Sequence, residues 1–167
     1  MRLRFVFAVA AVILGQSVLR AEHARIDLTL ERVNPVAPGE VAMARASVDV
    51  DPPVGGLQPR PLLKVKAGEP LVLQFFFTNT YPHGTIKEAR VHYFVVREAK
   101  ARQKPVPDLK EGVLTQGSFT LNFKPKARVG ARVTFKLPKP GVYLLRVQSE
   151  NTQSDHEHFS AIDVQAE

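Results

Sequence analysis

LVLQFFFTNTYPHGTIKEARVHYFVV, residues 71–96, decides the fold class. Leu71, Leu73, Phe75 and Phe77 occupy every second position, with Gln74 and Thr78 between them. A period of two belongs to a strand with one buried face; apolar residues of a helix recur every three or four positions. Tyr81-Pro82-His83-Gly84 interrupts the run with turn residues, Gly84 being read as the permissive backbone position. Beyond it Val91, Tyr93 and Val95 alternate with His92, Phe94 and Val96. Both faces of this second strand carry bulk, as in a strand covered on both sides.

The same period continues toward the C-terminus. Phe119, Leu121 and Phe123 form one set, Val133, Phe135 and Leu137 a second, and Tyr143, Leu145 and Val147 a third; His158, Ser160, Ile162 and Val164 form the last. Gly68-Glu69-Pro70, Lys124-Pro125 and Pro138-Lys139-Pro140-Gly141 punctuate them. Short alternating strands at this spacing predict an all-β, two-layer antiparallel β-sandwich of about seven to eight strands. The expected core is Leu73, Phe75, Val95, Leu121, Phe135, Tyr143 and Val147. Val72 and Phe76 have outward parity, and with Phe94, Val96 and Leu144 they are expected to make an apolar patch covered by residues 41–61.

Upstream the pattern weakens. Ile26, Leu28 and Leu30 mark one strand. VAMARASVDV (41–50) favours a strand over a helix, since its second half alternates. Residues 34–61 hold six prolines and three glycines, and DPPVGGLQPRP (51–61) reads as a loop, because proline gives a sheet no donor. The expected division is a leader at 1–21, an N-terminal segment at 22–61 packing on the sandwich, and the sandwich itself at 62–167.

The leader follows from MRLR and the ten apolar residues FVFAVAAVIL (5–14), with Ala21 before Glu22 as the cleavage point. This is the layout of a secretory signal peptide. The run is short of the roughly 20 apolar residues that span a bilayer, and no other stretch approaches that length, so no stable membrane insertion is expected after cleavage. The expected location is periplasmic or secreted. The leader carries three arginines and no acid, which leaves 20 basic against 16 acidic residues and a net charge of +4. Read as scattered, those charges suit solubility and exclude a nucleic-acid stripe. The chain has no cysteine, which excludes disulfides, thiolate metal sites and cysteine nucleophiles.

Catalytic motifs are absent: there is no phosphate loop, no GxSxG and no HExxH. Ser154-Asp155-His156 places hydrolase residue types side by side, but neighbours on a strand point to opposite faces. No catalytic residue is named, and a non-catalytic module is expected. Its partner would be a protein or a surface polymer. REAKARQKPVPDLKEGV (97–113) is long for a strand connection, and Lys100, Arg102, Lys104 and Asp108 are its candidate partner contacts; a short edge strand at 104–107 is the alternative reading.

The histidines offer a second function. His156 and His158 stand two apart, so a strand would send both rings to one face about 6–7 Å apart. That geometry suits Cu(II), Zn or Ni, with His23 and the amine freed at Glu22 as further donors. Asp155 or Glu157 would orient the rings or add a carboxylate. A solvated strand is the plain alternative. His92 is expected to pack on a sheet face.

Two resemblances bear on these readings. VKAGEPLVLQFFFTNT (65–80) resembles a strand of bacterial immunoglobulin-like or fibronectin-III-like domains, and LPKPGVYLLRVQSEN (137–151) resembles their turn and following strand. The resemblance implies an immunoglobulin-like sandwich over about 62–166, with the Tyr143 hydroxyl bonded to nearby backbone as in a tyrosine corner. GVYLLRVQSENTQSDHEHFSAIDV (141–164) is similar to the closing hairpin of periplasmic copper-resistance-type carrier sandwiches, which implies copper binding by histidine. The tryptophan usual in that hairpin and a methionine-rich segment are both missing here.

Overall fold

Leu71, Leu73, Phe75 and Phe77 leave β4 (Pro70–Asn79) on one side, and all four are sealed from solvent. The computed structural model describes residues 24–48, 60–102, 109–151 and 154–167. Eight further strands accompany β4 among them: β1 (Ala24–Arg32), β2 (Met43–Val48), β3 (Leu62–Val65), β5 (Ile86–Glu98), β6 (Val113–Phe123), β7 (Arg128–Lys136), β8 (Gly141–Asn151) and β9 (Ser154–Ala166). They form two sheets, β2-β1-β4-β7 and β3-β9-β8-β5-β6. Among the described residues no helix is long and apolar enough to cross a membrane.

The core lies between the sheets. Ile26, Leu28 and Leu30 of β1 join the inner row of β4, opposite Val91 and Val95 of β5, Tyr143, Leu145 and Val147 of β8, and Ile162 and Val164 of β9. Phe77 meets Phe123 at 4.4 Å between ring centroids, and Phe75 stacks on Phe119 at 6.2 Å. Tyr93 also points inward; Gly117, its register partner on β6, leaves the room, since a Cβ there would come within 2.5 Å of the Tyr93 ring.

Several sequence expectations need correction. The sandwich is not purely antiparallel and has nine strands among the described residues: β3 runs parallel to β9, Leu62 facing Asp163 and Val65 facing Ala166. Hairpin-linked strands must be antiparallel, but β3 and β9 meet only after most of the chain has intervened, and alternation does not encode direction. Leu121 is 42% exposed rather than core. It lies on β6, an edge strand, and its register partner is the small Ala89, just past a bulge at which Glu88 adopts a φ of 52°. The outward patch divides in two, because β4 and β5 belong to different sheets. Val72 and Phe76 face out from one sheet, where Arg128 lies 3.6 Å over the Phe76 ring. Val96, Leu144 and Ala161 form a buried cluster on the outside of the other, against which Leu109 and Val113 pack. Residues 41–61 are described only as far as Val48 and from Arg60, so the 51–59 loop lies outside the described residues, as does the 104–107 edge strand.

Local polar bonds close the turns. Asn79, fully buried, donates to the carbonyls of Gly84, Phe123 and Lys124 and accepts from the Tyr81 amide. It ties the end of β4 to its own turn and to the β6–β7 turn. Gly84 serves by close approach rather than by a positive φ: a Cβ there would meet the Tyr81 ring at 3.1 Å. The Tyr143 hydroxyl donates to the Lys139 carbonyl at 2.7 Å, a bond to nearby backbone of the kind the resemblance implied.

Candidate functional site

The outer face of the five-stranded sheet changes character along its length. Register places Val96 beside Leu144, Phe94 beside Arg146 and His92 beside Gln148 on β5 and β8. The first pair is apolar and covered by Leu109 and Val113; the next two become polar. A cleft of about 670 Å³ opens there, lined by His92, Phe94, Lys110, Gln116, Arg146, Gln148 and Glu150 with Leu109 and Val113.

Aromatic contacts hold its polar groups in place. The His92 ring stacks on Phe94 with 5.8 Å between centroids and 11° between planes. The Arg146 guanidinium lies 4.3 Å over the Phe159 ring of β9, which restrains a long side chain. Gln148 donates to Glu150 at 3.3 Å, and the other Glu150 oxygen stands 3.4 Å from His92 Nε2. His92 Nε2 and Gln148 Oε1 are buried and hydrogen-bond to no partner among the described residues. A buried amide oxygen such as Gln148 Oε1 costs about 1–3 kcal/mol until something bonds it, whereas His92 Nε2 already has the Glu150 carboxylate beside it. The cleft therefore combines an imidazole, a guanidinium, a carboxylate and amides with a flat aromatic surface, an arrangement that can grip a polar ligand with one apolar side.

The sequence-derived candidates lie elsewhere. His23 is outside the described residues, as are Lys104 and Asp108. The β9 backbone runs through His156 and His158, with His158 opposite Ser149, but their side chains and those of Asp155 and Glu157 are outside the described set. Among the described residues no three His, Asp or Glu side chains group closely enough to hold a metal ion. Lys100 and Arg102 are exposed. Arg102 is also a tie: its amide donates to Asp163 and its Nε donates to the Arg60 carbonyl at 2.9 Å.

That tie leads to a buried charge cluster. Arg60 Nε meets Asp163 Oδ1 at 2.6 Å and its Nη2 meets Glu98 Oε1 at 2.7 Å, with all three side chains nearly sealed from solvent. Two carboxylates thus face one guanidinium. Burial, and then repulsion from Asp163, push the Glu98 carboxyl up to about 7 against the attraction of Arg60. Across the molecule Arg32 pairs with Glu69 at 2.8 Å and with Glu40. Burial opposes ionisation of Glu69, but its bonds from Arg32 and the Lys66 amide outweigh that and hold its carboxyl below the usual range.

The residues of this cleft that sequence reasoning missed are Arg146, Gln148 and Glu150. Outward parity on β8 was their signal, visible once Tyr143, Leu145 and Val147 are taken as inward.

No protein-family model matches the chain, and no curated protein does. Over 64% of its length the chain is similar, at 10% identity and a TM-score of 0.42, to part of a family 123 glycoside hydrolase from Clostridium perfringens. The chain covers 22% of that enzyme.

Proposed function

We propose that the protein is a non-catalytic, exported module that recognises an envelope or surface partner, either a protein or a surface polymer, through the cleft at His92. One observation carries this reading: the cleft contains a buried polar atom, Gln148 Oε1, that hydrogen-bonds to nothing among the described residues. A bound partner that donates to Gln148 would remove that cost. The Arg146 guanidinium, held by Phe159, and the stacked His92–Phe94 pair would orient it. The leader at 1–21 supports export, and the net charge of +4 left after its removal is compatible with anionic envelope surfaces.

The test is nuclear magnetic resonance of labelled protein titrated with soluble peptidoglycan fragments, cell-surface polysaccharides and envelope peptides. The expected result is saturable shifts at His92, Phe94, Arg146 and Gln148, abolished by Arg146→Ala. Shifts confined to another face, or turnover of any of these compounds, would overturn the reading.

A further inference from the structure

The sandwich is closed along one flank and open along the other. At the β2 flank β1 and β2 approach β9, and inner residues such as Ala44 are buried. At the opposite flank β6 and β7 are, among the described residues, the free edges of their respective sheets, joined by the 124–127 turn. Along β7 the inward residues Val129, Ala131, Val133 and Phe135 are only half-buried, although they pack against the core. Unpaired amides and carbonyls on the β7 edge thus lie beside a row of half-covered apolar side chains.

The other face of β7 is cationic. Arg128, Arg132 and Lys136 recur at every fourth residue, about 13 Å apart in an extended strand. Lys124, Lys126 and Lys139 extend the row at both ends, and all six are exposed. Residues 112–149 contain no Asp or Glu at all. Arg128 pairs with Asp27 at 3.7 Å, whereas no acid among the described residues pairs with Arg132 or Lys136.

We infer that the β7 edge docks an extended acidic segment of a partner protein by strand addition. A strand with a free ladder, apolar side chains toward one face and cations toward the other matches a strand that alternates acidic and apolar residues. A polyanion such as nucleic acid or an acidic polysaccharide would use the cations but neither the ladder nor the half-buried row. A second copy is disfavoured, because pairing β7 with β7 brings cation against cation. This surface is distinct from the cleft at His92 and is tested separately.

The experiment is fluorescence anisotropy of a labelled peptide of alternating Glu and Val, as long as β7, against the protein, with amide hydrogen exchange of β7 as a second readout. Saturable binding is expected, accompanied by slower exchange in β7 and weakened about tenfold by R132E/K136E. Both substituted positions are exposed, so the fold should persist, and circular dichroism checks it. A peptide of the same composition with its Glu and Val in separate blocks should bind at least about tenfold more weakly. Equal binding of the block peptide or of polyglutamate would replace the strand reading with a polyanion surface. Absence of binding, a β7 that exchanges as before, or a concentration-dependent dimer protected at β7 would each overturn it. Since R132E/K136E leaves the His92 cleft intact, failure here does not touch the titration proposed for the cleft.

Discussion

Replacing Glu98 by Gln should change how stability depends on pH. The Glu98 carboxyl ionises near 4.5 in the unfolded chain and at about 7 in the folded one. Between those values the folded protein holds a proton that the unfolded chain has released. Stability contributed by that proton is therefore complete below pH 4.5, falls as pH rises, and is lost above about 7. A tenfold change in proton affinity is worth about 1.4 kcal/mol, so the whole window amounts to about 3 kcal/mol. Gln keeps an oxygen for Arg60 and cannot ionise. The Glu98→Gln variant should match the parent near pH 5 and exceed it by up to about 3 kcal/mol at pH 8. Urea unfolding followed by far-ultraviolet circular dichroism at half-unit steps measures both curves. All other ionisable groups are common to both proteins and drop out of the difference. Asp27 and Glu69 act with the opposite sign: their carboxyls lie below the usual range, so their contribution is lost only in acid, as pH falls through their folded values. Parallel curves for parent and variant from pH 5 to 8 would refute the account of the Arg60 cluster.

Three further outcomes follow from the same geometry. Tyr143→Phe removes only the 2.7 Å bond to the Lys139 carbonyl and should cost about 1 kcal/mol in urea unfolding, with spectra unchanged. Gly130→Ala should cost about 2–4 kcal/mol or prevent folding, because the new methyl would sit 2.3 Å from the Phe75 carbonyl oxygen, which the sheet cannot move; a melting temperature equal to the parent's would contradict the β4–β7 register. For the metal reading of His156 and His158, calorimetric titration with Cu(II), Zn or Ni should show saturable binding tighter than about 10 μM that weakens below roughly pH 6 and disappears in H156A/H158A; equal binding by the double variant would retire it.

Alternation made the strands legible. Leu73, Phe75, Val95, Tyr143 and Val147 are buried as their period required, because a half-buried strand writes its inner face into every second residue. Position within a sheet is not written that way, and Leu121 shows the consequence: its parity is right, but it lies on an edge strand. The Arg60 cluster was unreadable for another reason. Arg60 sits in DPPVGGLQPRP, which has every mark of a loop, and its acceptors lie 38 and 103 residues away. The face around His92 was half legible. The packing of His92 followed from β5, but the residues completing the cleft come from strands whose adjacency only the topology reveals. The cationic edge is a different case. The acid-free run from 112 to 149 stood in plain view, and averaging charge over the whole chain hid it.

The parallel pairing of β3 with β9 also sets an order of events in time. Leu62 meets Asp163, and Arg60 finds its acceptor 103 positions downstream. A nascent chain that has not yet delivered Asp163 has a guanidinium with no carboxylate to receive it from β9, and β8 lacks one of its two neighbours. Contacts this distant in sequence are slow to form, because the intervening chain must first be confined. Until β9 is available the two sheets are half-made, and they are exposed to aggregation for as long as that strand is delayed.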